Sequence, residues 1–331
     1  MERKSTVLLN RTQISALLDF EDYFDAVEAA FKSHGEKKTL PQGLLHLDSE
    51  GGEFHVKGGG LKLERIYFGL KCNGAFSENM RRHGLPSILG TITLCDGETG
   101  YPLAILDSVE ITKQRTAAAA AVAAKYLARP DSRVITICGC GTQGHIQLQA
   151  VKRVLPLVKA FAFDEDSGQR ERFAEQMSRE LKMEVQPVSD PGLAVRQSDV
   201  CVTCTPSHQY YLRKVDVPAG MFIAAMGADS PGKQELEPTL LVSNKVVVDI
   251  VEQCAKLGEL HHALDQGLLT RHDVYAELGE IVARLKPGRA TPQEIVIFDS
   301  TGTAMQDVAS AAAVYAKAVA KNIGLSINFM E

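Results

Sequence analysis

The segment Cys138-Gly139-Cys140-Gly141-Thr142-Gln143-Gly144 constrains the fold of this chain more than any other. Its glycines follow G-x-G-x-x-G spacing. A strand is predicted just before it, over 133–138, and a helix just after, over 143–154. In that setting Gly139 permits a tight turn and Gly141 lets a pyrophosphate approach the backbone. Gly144 lets helix and strand pack closely. The helix N-terminus offers free N–H groups and a positive dipole end to phosphates. The next predicted strand, 160–163, leads into Asp164, 25 residues after Gly139. An acid that binds ribose hydroxyls is expected at an offset of ~20 residues. Glu165 and Asp166 add charge that would repel a 2′-phosphate, so NAD is favoured over NADP. A glycine turn without a nucleotide, with Asp164 as a plain helix cap, is the alternative. The order strand, loop, helix, strand, acid favours the nucleotide.

The surroundings extend this pattern. Predicted strands at 185–188, 200–203, 222–226 and 246–250 follow, with an amphipathic helix at 169–181. Strand 295–298 and an alanine-rich helix at 304–321 close the chain. Such alternation gives a parallel, doubly wound sheet. Upstream, short apolar runs at 43–47, 54–56, 67–72, 88–94 and 102–106 are separated by glycines. Asp96-Gly97 with Thr99-Gly100 predicts a hairpin turn. This is an antiparallel sheet region. Before it, Thr12 and Asp22 are candidate caps of two helices. A second alanine-rich helix is predicted at 112–128, before a break at Pro130-Asp131.

Composition narrows the class. With 331 residues, two domains, or one large α/β unit with an insertion, are expected. The formal net charge of −5 gives no footprint for nucleic acid. Val7–Leu9 is too short a hydrophobic core for a secretory signal, and 116–124 is far short of a membrane span. Seven widely spaced cysteines do not form a disulfide framework. A cytoplasmic, reduced protein without nucleic-acid or membrane partners is expected. Cys201-x-x-Cys204, Cys138-x-Cys140 and His261-His262 lack further ligands at metal spacing, so no metal is expected.

Substrate chemistry belongs beyond the carboxyl ends of the strands. Two segments fall there, 226–233 and 299–303. Asp229 is a candidate proton donor and acceptor; it is equally a turn residue before Pro231-Gly232. Thr301, in the second segment, is a candidate substrate contact. Lys71 stands in a strand-like run and Arg115 heads the alanine helix. Together they could clamp a carboxylate, or both could simply face solvent.

Taken in order, these pieces resemble the ornithine cyclodeaminase/μ-crystallin family. The resemblance is carried by Gly69-Leu70-Lys71, Gly84-Leu85-Pro86, 112–118, the glycine loop, 203–206, 227–236, Gly258-Glu259-Leu260, 276–279 and 299–302. It implies a Rossmann-type dinucleotide-binding domain (125–305) inserted in a second α+β domain for substrate and dimerisation (1–124 with 306–331). It also implies a homodimer. Lys71 and Arg115 would hold the substrate carboxylate, Arg115 also standing near the cofactor. Asp229 would exchange a proton with the substrate nitrogen. Ser87, Thr116, Thr142, Gln143, Asp164, Thr205, Met226, Lys233 and Ser300 would contact NAD, with Gly139, Gly141 and Gly144. Relatives often carry an arginine where spacing places Gly43, and Lys57 is expected to supply that missing charge.

The expected activity is that of an NAD(H)-dependent imine reductase or amino-acid dehydrogenase. It would act on a small 2-imino or 2-amino acid, at the carbon bearing nitrogen and carboxylate. An ornithine or lysine cyclodeaminase, and a non-catalytic binder of dinucleotide or a small ligand, are the alternatives.

Overall fold

The structure is a computed structural model and describes residues 5–330. Residues 1–4 and Glu331, at the ends of the expected outer domain, lie outside the described residues. In chain order the elements are β1 (Thr6–Leu9), α1 (Arg11–Leu17), α2 (Phe20–Gly35), β2 (Thr39–Ser49), β3 (Gly52–Lys62), β4 (Ile66–Ala75), α3 (Asn79–His83), β5 (Ile88–Asp96), β6 (Pro102–Asp107) and α4 (Ser108–Leu127). Next come β7 (Val134–Cys138), α5 (Thr142–Val154), β8 (Lys159–Phe163), α6 (Ser167–Leu181), β9 (Glu184–Val188), α7 (Pro191–Val195), β10 (Val200–Thr203) and β11 (Phe222–Ala225). The remainder is β12 (Lys245–Val248), α8 (Val251–Leu257), α9 (Glu259–Asp265), β13 (Ala276–Glu277), α10 (Leu278–Val282), β14 (Val296–Asp299), α11 (Ala304–Lys321) and β15 (Leu325–Ile327).

The chain divides into two compact units. One comprises the described residues up to Arg115 and from Thr303 onward; the other is Thr116–Gly302. Helix α4 carries the chain from the first unit into the second.

In the first unit, seven strands form one sheet in the order β15-β1-β6-β5-β4-β3-β2. The expected antiparallel pairing holds from β2 to β6. At the other edge β1 runs parallel to β6 and antiparallel to β15. Helix α11 crosses β3 and β4. Its approach explains one glycine: a Cβ on Gly69 would lie 2.7 Å from Val308 Cγ2. On the packed face Leu61, Ile92 and Leu94 are fully buried. Leu45, Leu47, Phe54, Phe68 and Leu70, on the other face, are exposed.

The helix starts differ from the sequence expectation. Asn10, not Thr12, caps α1, and Asp19, not Asp22, caps α2. In both cases the side chain at the third helical position, Gln13 or Asp22, closes the reciprocal half of a capping box. Helix α4 begins four residues earlier than predicted, because Asp107 accepts hydrogen bonds from the Val109 and Glu110 amides.

The second unit holds an eight-stranded sheet, ordered β13-β12-β14-β11-β10-β7-β8-β9. Its pairings are parallel. The chain runs outward through β7, β8 and β9, then returns to lay β10 on the other side of β7. That reversal makes the end of β7 a topological switch point, where ligands bind in such sheets. The glycine loop stands there.

Candidate active site

The three glycines differ in their physical reason for being glycine. Gly139 has φ +103°, a left-handed conformation. A Cβ on Gly144 would fall 2.0 Å from the Gly139 carbonyl oxygen. A Cβ on Gly141 would meet only Gln169 Nε2, at 3.7 Å, so this backbone is open to an approaching group. Gly141 caps α5 without a side-chain hydrogen bond. The first-turn N–H groups around Thr142 and Gln143 therefore lack a side-chain acceptor, as a phosphate site requires.

Asp164 follows β8. Its Oδ2 accepts from the Cys140 amide at 2.8 Å and its Oδ1 from the Asp166 amide at 3.1 Å. With Gly139, Gly141, Gln169, Thr205 and Tyr211 it lines a cavity of about 650 Å³ at the switch point. These residues fit the adenosine end of NAD: an open glycine loop for phosphate, an acid for ribose, and aromatic walls.

Glu235, which the sequence reading passed over, ties this side together. It is fully buried. Oε1 accepts from the Thr205 amide, the Thr205 hydroxyl and the Tyr211 hydroxyl at 2.6, 2.7 and 2.9 Å. Oε2 accepts from the Gly227 amide at 3.0 Å. Burial raises its pKa even against these bonds. One carboxyl thus fixes the loops after β10 and β11. Met226, the residue after β11, donates its amide to the Thr203 carbonyl. On the loop beyond, Asp229 is half exposed and pairs with Lys233 at 2.6 Å. The Lys233 carbonyl accepts from His262 Nε2.

A second organiser, also unforeseen, is the buried Asp249. Its oxygens accept from the Thr301 and Gly302 amides at 2.9 and 2.8 Å, and from the Ser300 and Thr301 hydroxyls at 3.2 Å each. Thr301 is itself buried, and its hydroxyl also accepts from Gln253 at 2.8 Å. Asp299, just before this loop, accepts from the Leu260 amide at the start of α9. Burial, together with the negative Asp249, pushes it up to about 7. The folded state therefore keeps a proton that the unfolded chain releases near its ordinary value of 3.8. The resulting stabilisation is complete below that value and is lost as pH rises through about 7. Asp299→Asn is expected to flatten part of the stability loss between pH 5 and pH 8. Thermal midpoints at the two pH values check this, and equal slopes in both proteins would overturn it.

In the first unit, neither Lys71 nor Arg115 faces solvent. Both are buried around Asp307, in the first turn of α11. Lys71 Nζ lies 2.6 Å from Asp307 Oδ2, and Arg115 Nε donates to Oδ1 at 3.0 Å. Arg115 also donates to Gln306 Oε1 at 2.9 Å. Lys57 pairs with Lys71 across β3 and β4 and is buried too. Burial lowers the Lys71 ammonium to about 7; Asp307 opposes this, while Arg115 and Lys57 reinforce it. Against burial, Lys71 and Arg115 hold the Asp307 carboxyl below its ordinary range. With the three basic groups protonated, three cations face one carboxylate. Such a cluster has capacity for a second anion. Ser87 stands apart from it, exposed on the loop before β5, its carbonyl accepting from the Phe76 amide.

A parallel sheet with a glycine loop at its switch point defines a Rossmann-type dinucleotide-binding protein, here with a second α+β unit. The chain belongs to the ornithine cyclodeaminase/mu-crystallin family, whose sequence model covers residues 4–322. It is 38% identical over 330 residues to an alanine dehydrogenase of Archaeoglobus fulgidus, covering 98% of each chain. Its fold matches an archaeal alanine dehydrogenase dimer with bound NAD at TM-score 0.92 and 37% identity, over 98% of this chain and 99% of that one. It also matches a Thermococcus litoralis Δ1-pyrroline-2-carboxylate reductase in complex with NADH and L-proline. There the TM-score is 0.90 and the identity 31%, over 97% of this chain and all of the other. Among the described residues no helix is long and apolar enough to cross a membrane.

Proposed function

We propose that this protein is an NAD(H)-dependent imine reductase or amino-acid dehydrogenase acting on a small 2-imino or 2-amino acid. The observation that carries this reading is the buried cluster of Lys57, Lys71 and Arg115 around Asp307. An α-carboxylate is a natural fifth member, and holding it fixes the adjacent carbon. Orientation of that kind contributes several kcal/mol to a reaction. Asp229 gives a proton to the substrate nitrogen on reduction and takes one on oxidation. Gly139, Gly141, Thr142, Gln143, Asp164, Thr205 and Ser300 would hold the dinucleotide, which when bound would supply the hydride as NADH or accept it as NAD⁺. Thr116, Met226 and Lys233 complete its contacts. The exposed apolar face of β2, β3 and β4 supports a homodimer, as the bound-NAD archaeal relative forms.

The test is NADH oxidation with pyruvate plus ammonia, pyruvate plus methylamine, and cyclic 2-carboxy imines. Turnover of at least one is expected. Ammonia release from ornithine or lysine without any such turnover would overturn this reading in favour of a cyclodeaminase. Tight NADH binding without any turnover would leave a binding protein.

A further inference from the structure

We propose that His46, Glu53 and His55 form a binding site for one divalent transition-metal ion of the zinc class. The three residues come from both arms of the β2–β3 hairpin. His46 lies directly opposite His55 in the register. Their rings meet edge to face, with centroids 4.5 Å apart. Glu53 precedes His55 by two residues, so its side chain leaves the strand on the same face. It spans both rings: Oε2 is 3.0 Å from His46 Nε2, and Oε1 is 2.8 Å from His55 Nε2. The ligand atoms of the three residues all lie within 4.8 Å of one another.

That spacing suits a single ion with nitrogen and oxygen ligands at about 2.0–2.2 Å. Small rotations of the three side chains would bring them to it, since the backbone pairing already sets their positions. Asp48 Oδ1, 3.4 Å from His46 Nε2, offers a further oxygen, and water can complete the shell. Two imidazoles and a carboxylate select zinc, cobalt, nickel or copper over magnesium and calcium, which prefer oxygen alone. The side chains are reachable: His46 and Glu53 are 41% and 40% exposed. The metal takes the lone pair of each ring Nε2, so added protons compete for the same nitrogens and acid opposes binding. The site uses none of the residues placed in the carboxylate cluster or around the glycine loop.

The experiment uses the full chain without an affinity tag, stripped of metal by a chelator. Zinc is titrated by calorimetry, and cobalt by its visible absorption bands. One ion per chain is expected, with visible cobalt bands of nitrogen-ligated character. His46→Ala and His55→Ala are each expected to weaken binding by at least about tenfold. NADH binding, read by its fluorescence, should be unchanged in both variants and shows that they fold. His261→Ala should bind as the parent does. The proposal is overturned if the parent binds neither ion. It is equally overturned if both hairpin variants bind as tightly as the parent, or if His261→Ala alone abolishes binding.

Discussion

Replacing Asp307 with alanine is expected to lower stability by about 3–5 kcal/mol, the cost of leaving buried charges without their partner. Lys71 and Arg115 are 4% and 6% exposed at their side chains, so water cannot take the place of the lost carboxylate. Lys71 can escape by shedding its proton, because its pKa already stands at about 7. Arg115 cannot. The deficit should therefore be larger at pH 6 than at pH 9, where the unpaired lysine is neutral in the fold. A second consequence separates the structural role from the proposed substrate role. If the cluster receives a substrate carboxylate, millimolar pyruvate should recover more stability in Asp307→Ala than in the parent protein. Urea unfolding at the two pH values, with and without pyruvate, measures all three effects. A variant within about 0.5 kcal/mol of the parent, the range of ordinary surface substitutions, would show that Asp307 is not the counter-ion. A deficit without recovery by pyruvate would keep the ion pairs and remove the carboxylate from the cluster.

The legible parts of the fold share one property: their signal is local. The strand, glycine turn and helix at 134–154 were readable because φ, backbone approach and packing each demand glycine within six residues. The parallel sheet followed from buried, β-branched runs at regular spacing. The long hairpin of β2 and β3 is legible only in fragments. Its outer half carries His46, Asp48, Glu53 and His55, polar residues that break the apolar pattern although the strands continue through them. The helix starts are ambiguous in the sequence because several acceptors stand close together. Asn10 and Thr12, or Asp19 and Asp22, are equivalent on paper, and only the chain's direction of entry chooses between them.

The candidate site was legible in its cations and not in its anions. Lys71 and Arg115 stand out as charges in apolar surroundings. Asp307 is 192 residues beyond Arg115, and a single acid in an alanine-rich helix reads as a solvent-facing residue. Its one signal is position, in the first turn of a helix otherwise made to be buried. Asp249 and Glu235 escaped for the same reason. Each binds backbone amides of loops distant in sequence, and an amide leaves no trace in residue identity. Asp249 does end a run of three valines, where an acid has no place unless its oxygens are engaged.

Asp229→Ala is expected to reduce kcat by about 10²–10⁴-fold, the usual contribution of a positioned proton donor, while NADH affinity changes little. The side chain is half exposed and carried on a loop that Glu235 fixes through the Gly227 amide. Its removal should therefore not disturb the glycine loop. It does release Lys233, now paired with it at 2.6 Å. That pairing gives a competing account, in which Asp229 merely orients a lysine that touches the cofactor. The two accounts differ in what they move. Loss of a proton donor lowers kcat with NADH affinity intact. Loss of an orienting partner weakens NADH binding and leaves kcat at saturating cofactor near its parent value. Asp229→Asn sharpens the contrast, because it can still hydrogen-bond Lys233 but cannot carry a proton. Steady-state kinetics at saturating NADH, with fluorescence titration of NADH into each variant, decide between them. If Asp229→Asn keeps turnover within about threefold of the parent, where a proton donor's loss would cost far more, Asp229 leaves the chemical step and the nitrogen's proton must come from another group.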